Sequence, residues 1–187
     1  MKYLIVGLGN IGAEYKNTRH NIGFDIADQL VHELKGEFKV DKLASVAKVK
    51  YKGRNLVVIK PTTYMNLSGK AVKYWLEKEK IPVRKLLVLV DDIALETGVL
   101  RLKTKGGDAG HNGLTDIIIK LNTTSFPRLR FGIGNDFPRG YQSDYVLGKW
   151  SNKDIDLLLP RVDNAVEMIK SFVSIGPGLT MTNFNNK

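Results

Sequence analysis

The apolar positions of this chain fall into short solid runs separated by stretches with helical spacing. Residues 3–6 form a continuous apolar run closed by glycine, the pattern of a strand buried on both faces. From Asn21 onward Ile22, Ile26, Leu30 and Leu34 recur on one helical face, with Gly36 as the stop signal. Residues 45–51 and 56–59 predict two strands joined through Gly53-Arg54, and Pro61 ends the second. Ser68 is placed to cap a helix carrying Val72, Trp75 and Leu76, closed by Pro82. Residues 86–90, all branched aliphatic, give the strongest strand pattern and run straight into Asp91-Asp92. Residues 99–103 predict another strand, and the stretch containing Gly106, Gly107, Gly110 and Gly113 leads into a helix over 114–121. Strand pattern returns at 129–133. Ser151 with Asp154 resembles a capping box for a helix carrying Ile155, Leu158, Leu159, Val162, Val166, Ile169 and Val173 as far as Gly176. Pro160 must kink that helix or restart it as a first-turn residue.

Strands alternating with helices predict a single α/β domain over 1–187, with helices on both faces of a twisted, largely parallel sheet that the hairpin makes mixed. In such sheets ligands gather at the carboxyl ends of the strands. Asn10 after the first strand, Asp91 after the strongest one, and Asn66 and Asn112 in loops are the polar residues expected there.

Composition narrows the chemistry. The 187 residues contain no cysteine, which removes disulfides, thiolate metal sites and a cysteine nucleophile together. Lysine and arginine number 29 against 19 acids, a net charge of +10 that favours a polyanionic partner. No apolar run approaches the ~18 residues of a spanning helix, and the apolar start is too short for a signal segment. The expectation is a soluble cytoplasmic protein without a membrane partner.

Gly7-Leu8-Gly9-Asn10-Ile11-Gly12 has the form of a dinucleotide-binding loop, but apolar helical spacing resumes only at Ile22. A Rossmann-type oxidoreductase is therefore a rival with the wrong context. His20 lies between Arg19 and Asn21 in a polar loop before a helix, a candidate base; His32 falls on the exposed side of that helix. Asp91, ending an apolar strand, needs a partner, and a histidine would both provide one and have its tautomer fixed. Asp92 alternates to the opposite face and is assigned to solvent or a helix cap. No GxSxG elbow, Walker loop, HExxH or EF-hand is present, and three scattered histidines do not suggest a metal. A histidine–aspartate pair among asparagines points to water activation, with activity lost on acidification. A non-enzymatic RNA-binding module would account for the charge but not for this pair. In 61–69, Tyr64, Met65 and Asn66 can contact substrate or belong to a helix-capping loop; His111 and Asn112 before the next helix offer a turn or an anion contact.

Together these segments resemble the bacterial-type peptidyl-tRNA hydrolase family. The likeness is carried by 6–10, Tyr15, 18–21, Gly23, 61–69, Asp91-Asp92, 110–114 and 128–134, in order over essentially the whole chain. It implies a monomer that hydrolyses the ester joining a peptide to the 3′ ribose of tRNA; independently, a single histidine can cleave an ester with neither metal nor cofactor. It makes His20 the general base, Asp91 its support and Asn10 the discriminator of N-blocked substrates. Tyr15, Tyr64, Asn66 and Asn112 become contacts to the peptidyl-tRNA end, Met65 and His111 cleft residues, and Lys103 and Arg130 basic positions near the tRNA 5′ phosphate. Ala94 stands where relatives often carry an acid, Ala109 where glycine is common, and Asn135-Asp136 where Arg-Pro is more usual.

Overall fold

The solid apolar runs become the centre of one seven-stranded sheet, ordered β2-β3-β4-β1-β5-β7-β6. The computed structural model describes residues 1–187. β1 (Lys2–Gly7) lies between β4 (Arg54–Pro61) and β5 (Leu86–Asp92), parallel to both, and β7 (Arg128–Gly132) extends the parallel set beside β5. The flanks are antiparallel, with β2 (Lys39–Asp41) and β3 (Ala44–Tyr51) beyond β4 and β6 (Leu100–Lys103) beyond β7. The sheet is mixed around a parallel centre, as the hydrophobic pattern predicts. β2 leaves no such pattern because all of its residues are exposed.

Alternation along the strands divides the core in two. Tyr3, Ile5, Leu87, Leu89, Leu129 and Phe131 face α1 (Ile22–Glu33), α5 (Asn152–Ile175) and α6 (Pro177–Phe184). Leu4, Val6, Val88 and Val90 face α2 (Ser68–Glu79) and α3 (Asn112–Leu121). A short α4 (Gln142–Val146) precedes α5 and buries none of its residues, which is why it has no apolar signature. No helix is long and apolar enough to cross a membrane.

Helix ends show where local signals were overruled. α1 stops at Glu33, and Lys35 just beyond it has a φ of 56° that lets the Gly36 N–H donate to the Val31 carbonyl at 2.9 Å. Gly36 serves instead for space, since a Cβ there would run into Val49. Ser68 is the first residue of α2 and not its cap: its buried hydroxyl donates to the Met65 carbonyl at 2.7 Å. The start of α2 is satisfied from α3, where Asp116 Oδ2 accepts the Gly69 N–H at 2.8 Å. α2 ends at left-handed Lys80, before Pro82 is reached. Ser151 does cap α5, accepting the Asp154 N–H at 3.3 Å and donating to its carboxylate at 2.8 Å. α5 then runs through Pro160 as one helix, so of the two readings, kink or restart, the restart does not occur; the seven buried residues from Val162 to Val173 anchor it downstream.

The chain leaves β1 toward the β4 side of the sheet and later crosses to β5 on the other, so connections diverge at the carboxyl ends of β1 and β5. Gly23 brings α1 unusually close there: a Cβ would lie 2.6 Å from Leu8 N and from Leu89 O. That approach lowers the 3₁₀ turn Arg19–Asn21 onto the strand ends.

Candidate active site

His20, in that turn, and Asp91, at the end of β5, are nearly fully buried and bonded to each other, His20 Nδ1 to Asp91 Oδ2 at 2.8 Å. A second imidazole completes the arrangement, with His111 Nε2 2.8 Å from Asp91 Oδ1. His111 is the N-cap of α3, and its Nδ1 accepts the Gly113 and Leu114 N–H groups at 3.1 and 3.4 Å. Two backbone donors on Nδ1 assign the ring hydrogen to Nε2, where it is donated to Asp91. His20 likewise donates from Nδ1, which leaves its Nε2 lone pair free to take a proton. Burial alone would push the Asp91 carboxyl up, but the His111 and His20 imidazoles hold it well below the usual carboxylate range. The acceptor is thus a carboxylate that stays ionised beside two hydrogen-bond donors.

Asn10 is oriented as firmly. Its backbone N–H donates to Asn21 Oδ1 at 2.8 Å, and its carbonyl accepts from Asn21 Nδ2 at 2.9 Å. Its own Oδ1 accepts the Met65 N–H at 2.8 Å, so the amide NH₂ is the end left to donate. Asn21, a polar neighbour of His20 in the sequence, forms this clamp across the loop that sequence spacing leaves open. Met65 itself is a core residue, 4% exposed. Gly113 makes room for it, as a Cβ there would lie 2.7 Å from the Met65 sulfur.

A cavity of about 80 Å³ is bounded by His20, Asp91, His111, Asn112 and residues of α4. Tyr64, Asn66 and Asn112 are exposed on loops and at a helix start, and Tyr15 is half-buried in the 3₁₀ turn after Gly12. Lys103 is exposed on β6. Asp92 overturns its expected place: it is buried, pairs with Arg130 across β5 and β7, and accepts the Ala94 N–H at 2.7 Å. Alternation did send it to the opposite face, but that face holds a cation, so the carboxylate is neutralised inside the protein. Arg130 is accordingly tied to Asp92 and not a free cation. Ala109 adopts φ 50°, a left-handed conformation that glycine would take without strain.

Arg19 closes the site on the α4 side. Its guanidinium lies 4.2 Å from the Tyr145 ring centroid and donates to the Tyr145 carbonyl at 3.0 Å, while its N–H donates to the Gly148 carbonyl at 3.0 Å. Sequence gave no sign of this anchor, which joins residues far apart in the chain.

The pattern of the family described as peptidyl-tRNA hydrolase matches residues 4–187. The chain belongs to that family. It is 56% identical to the peptidyl-tRNA hydrolase of Parabacteroides distasonis and 54% identical to that of Phocaeicola vulgatus, over the full length of each. It resembles the crystal structure of peptidyl-tRNA hydrolase from Acinetobacter baumannii at a TM-score of 0.93 and 35% identity, covering 98% of this chain and 94% of that one. A Campylobacter jejuni 5′-methylthioadenosine/S-adenosyl homocysteine nucleosidase matches at a TM-score of 0.55 and 12% identity, a likeness of fold alone. Within this peptidyl-tRNA hydrolase fold the glycine motif does not open a helix. Gly12 has φ 113° and leads into 3₁₀ turns, and α1 starts only at Ile22, which removes the helix N-terminus a dinucleotide would need.

Proposed function

We propose that this protein hydrolyses the ester between a peptide and the 3′ ribose of tRNA, with His20 as general base. The observation that carries the reading is the His20–Asp91 bond, which commits Nδ1 and frees Nε2. In the proposed reaction Nε2 takes a proton from water, and the resulting hydroxide attacks the ester carbonyl carbon. The tetrahedral oxyanion accepts hydrogen bonds from amide donors, for which the NH₂ of Asn10 is already oriented by Met65; Asn66 and Asn112 are the other candidates. Collapse expels the ribose 3′ oxygen, which recovers the proton from His20.

His111 is a positioning residue in this scheme, holding the second carboxylate oxygen of Asp91. Its Nδ1 is occupied by backbone N–H groups and its Nε2 carries hydrogen, which supports a reaction without a metal at these three residues. Tyr15 and Tyr64 are assigned to the substrate end. Lys103, with Arg130 beside the Asp92 carboxylate, is assigned to tRNA phosphate. The protein is read as a cytoplasmic monomer.

The test is His20→Ala assayed on an N-acetyl-aminoacyl-tRNA. Turnover is expected to fall by about 10²–10⁴-fold, the usual worth of a positioned base, while tRNA binding persists. Retained turnover removes His20 from the chemistry.

A further inference from the structure

A second cavity, of about 420 Å³, opens beside Asn10 and Asn21 and is lined also by Phe24, Asp25, Asp28 and Lys60. Its charges are unequally satisfied. Lys60 is paired with Asp28 and lies 4.3 Å from the Phe38 ring centroid, so both members of that pair are committed. Asp25, on the first turn of α1, is partly buried and has neither an ion pair nor a hydrogen-bond donor. We propose that Asp25 reads the peptide half of the substrate by accepting a primary ammonium group, from a lysine side chain or from the free amino end of a short peptide. This rests on the reading of the protein as a peptidyl-tRNA hydrolase.

Three observations support it. The cavity sets the carboxylates of Asp25 and Asp28 against Lys16 and Lys60, and Lys60 is already paired with Asp28, so it offers a phosphate backbone no excess of positive charge. The exposed Lys103 and its neighbour Arg101 lie instead on β6, beyond β5 in the sheet order, while Arg128 and Arg130 of β7 are held by backbone carbonyls and by Asp92. A substrate whose ester lies at His20, over β1 and β5, therefore has its tRNA toward β7 and its peptide toward β4. The peptide side is the side of this cavity, since Lys60 and Thr62 on its wall come from β4 and the residue after it. Finally, burial and the neighbouring Asp28 push the Asp25 carboxyl up to about 7, against the opposing pull of Lys60 and Lys16. This is an acid short of a partner, and an incoming ammonium supplies one.

The experiment compares three substrates on one tRNA: acetyl-norleucyl-alanyl, acetyl-lysyl-alanyl, and norleucyl-alanyl with a free amino end. At pH 7.5, where the Asp25 carboxyl is mostly ionised and an α-amino group mostly protonated, the wild-type protein is expected to favour one or both ammonium-bearing peptides by roughly 5-fold in kcat/KM. The arm that shows the preference identifies whether side chain or terminus is read. Asp25→Asn is expected to abolish the preference and Asp25→Glu to keep part of it. Hydrolysis of all three at ratios that Asp25→Asn leaves unchanged overturns this inference alone. Failure to cleave any of them overturns the hydrolase reading and this inference with it.

Discussion

At the scale of single residues, the site depends on which atoms are already committed. Asp91 spends both oxygens on imidazoles, Asn10 spends its Oδ1 on Met65, and what remains free, His20 Nε2 and the Asn10 NH₂, is what a hydrolytic reaction can use. Asp25 is the exception, an acid without a partner, and it makes stability depend on pH. Its carboxyl ionises near 7 in the folded protein, against 3.8 ordinarily. Between those values the unfolded chain releases a proton that the native state retains, so stability falls as pH rises from about 4 to 7. Asp25→Asn is expected to flatten that decline and to leave stability below pH 4 unchanged relative to wild type. A shift of this size has a ceiling of about 4 kcal/mol, and solvent screening at a partly covered group reduces the expected gain at pH 8 to about 1–2 kcal/mol. Urea denaturation of both proteins at pH 4 and pH 8 measures it; parallel curves at the two pH values would contradict the assignment.

At the scale of elements, helix periodicity and strand runs were legible in the sequence, while several helix termini were not. The apolar faces of α1, α2 and α5 follow the spacing of Ile22, Val72 and Val162 and their neighbours, because burial of one face dominates helix stability. Ser68 has the right chemistry for a cap yet turns back to Met65, and the cap function passes to Asp116 on a different helix. Asp116→Ala should therefore destabilise the fold through α2, by about 1–2 kcal/mol as for other lost caps near a helix dipole. Chemical denaturation reads the loss, and hydrogen exchange should localise it to the first turn of α2. Protection lost only in α3 would argue that Asp116 serves its own helix.

Across the whole molecule, strand order sets the polarity of the site. The reacting pair lies over the central strands, the paired and unpaired acids lie toward β4, and four basic side chains share one face of β6 and β7. These cations differ in freedom: Arg128 is 2% exposed, its guanidinium donates to the Gly107, Thr124 and Phe126 carbonyls, and Arg130 is held by Asp92. Lys103 is the exposed member. If it meets a phosphate, Lys103→Glu lowers the slope of log K against log salt by on the order of one unit, without loss of stability. Arg130→Glu should lower affinity and also destabilise, since it leaves Asp92 buried beside a second acid. Filter binding of tRNA across a salt series, with thermal melts of both variants, separates the two effects. A slope unaltered by Lys103→Glu takes that residue out of the interface.

Runs of apolar residues were enough to determine the α/β class and the central strands, because hydrophobic burial is written locally along the chain. His20, Asp91 and Asn10 could also be singled out as candidates, since ligands of α/β sheets gather at the carboxyl ends of strands and a carboxylate ending an apolar strand needs a partner. Tertiary structure alone decided the partners: His111 on Asp91, Asn21 around Asn10, Arg130 on Asp92 and Asp116 on α2. Each joins a hydrogen-bonding group to one supplied by another segment, and only the folded geometry fixes which donor comes within 3 Å of which acceptor.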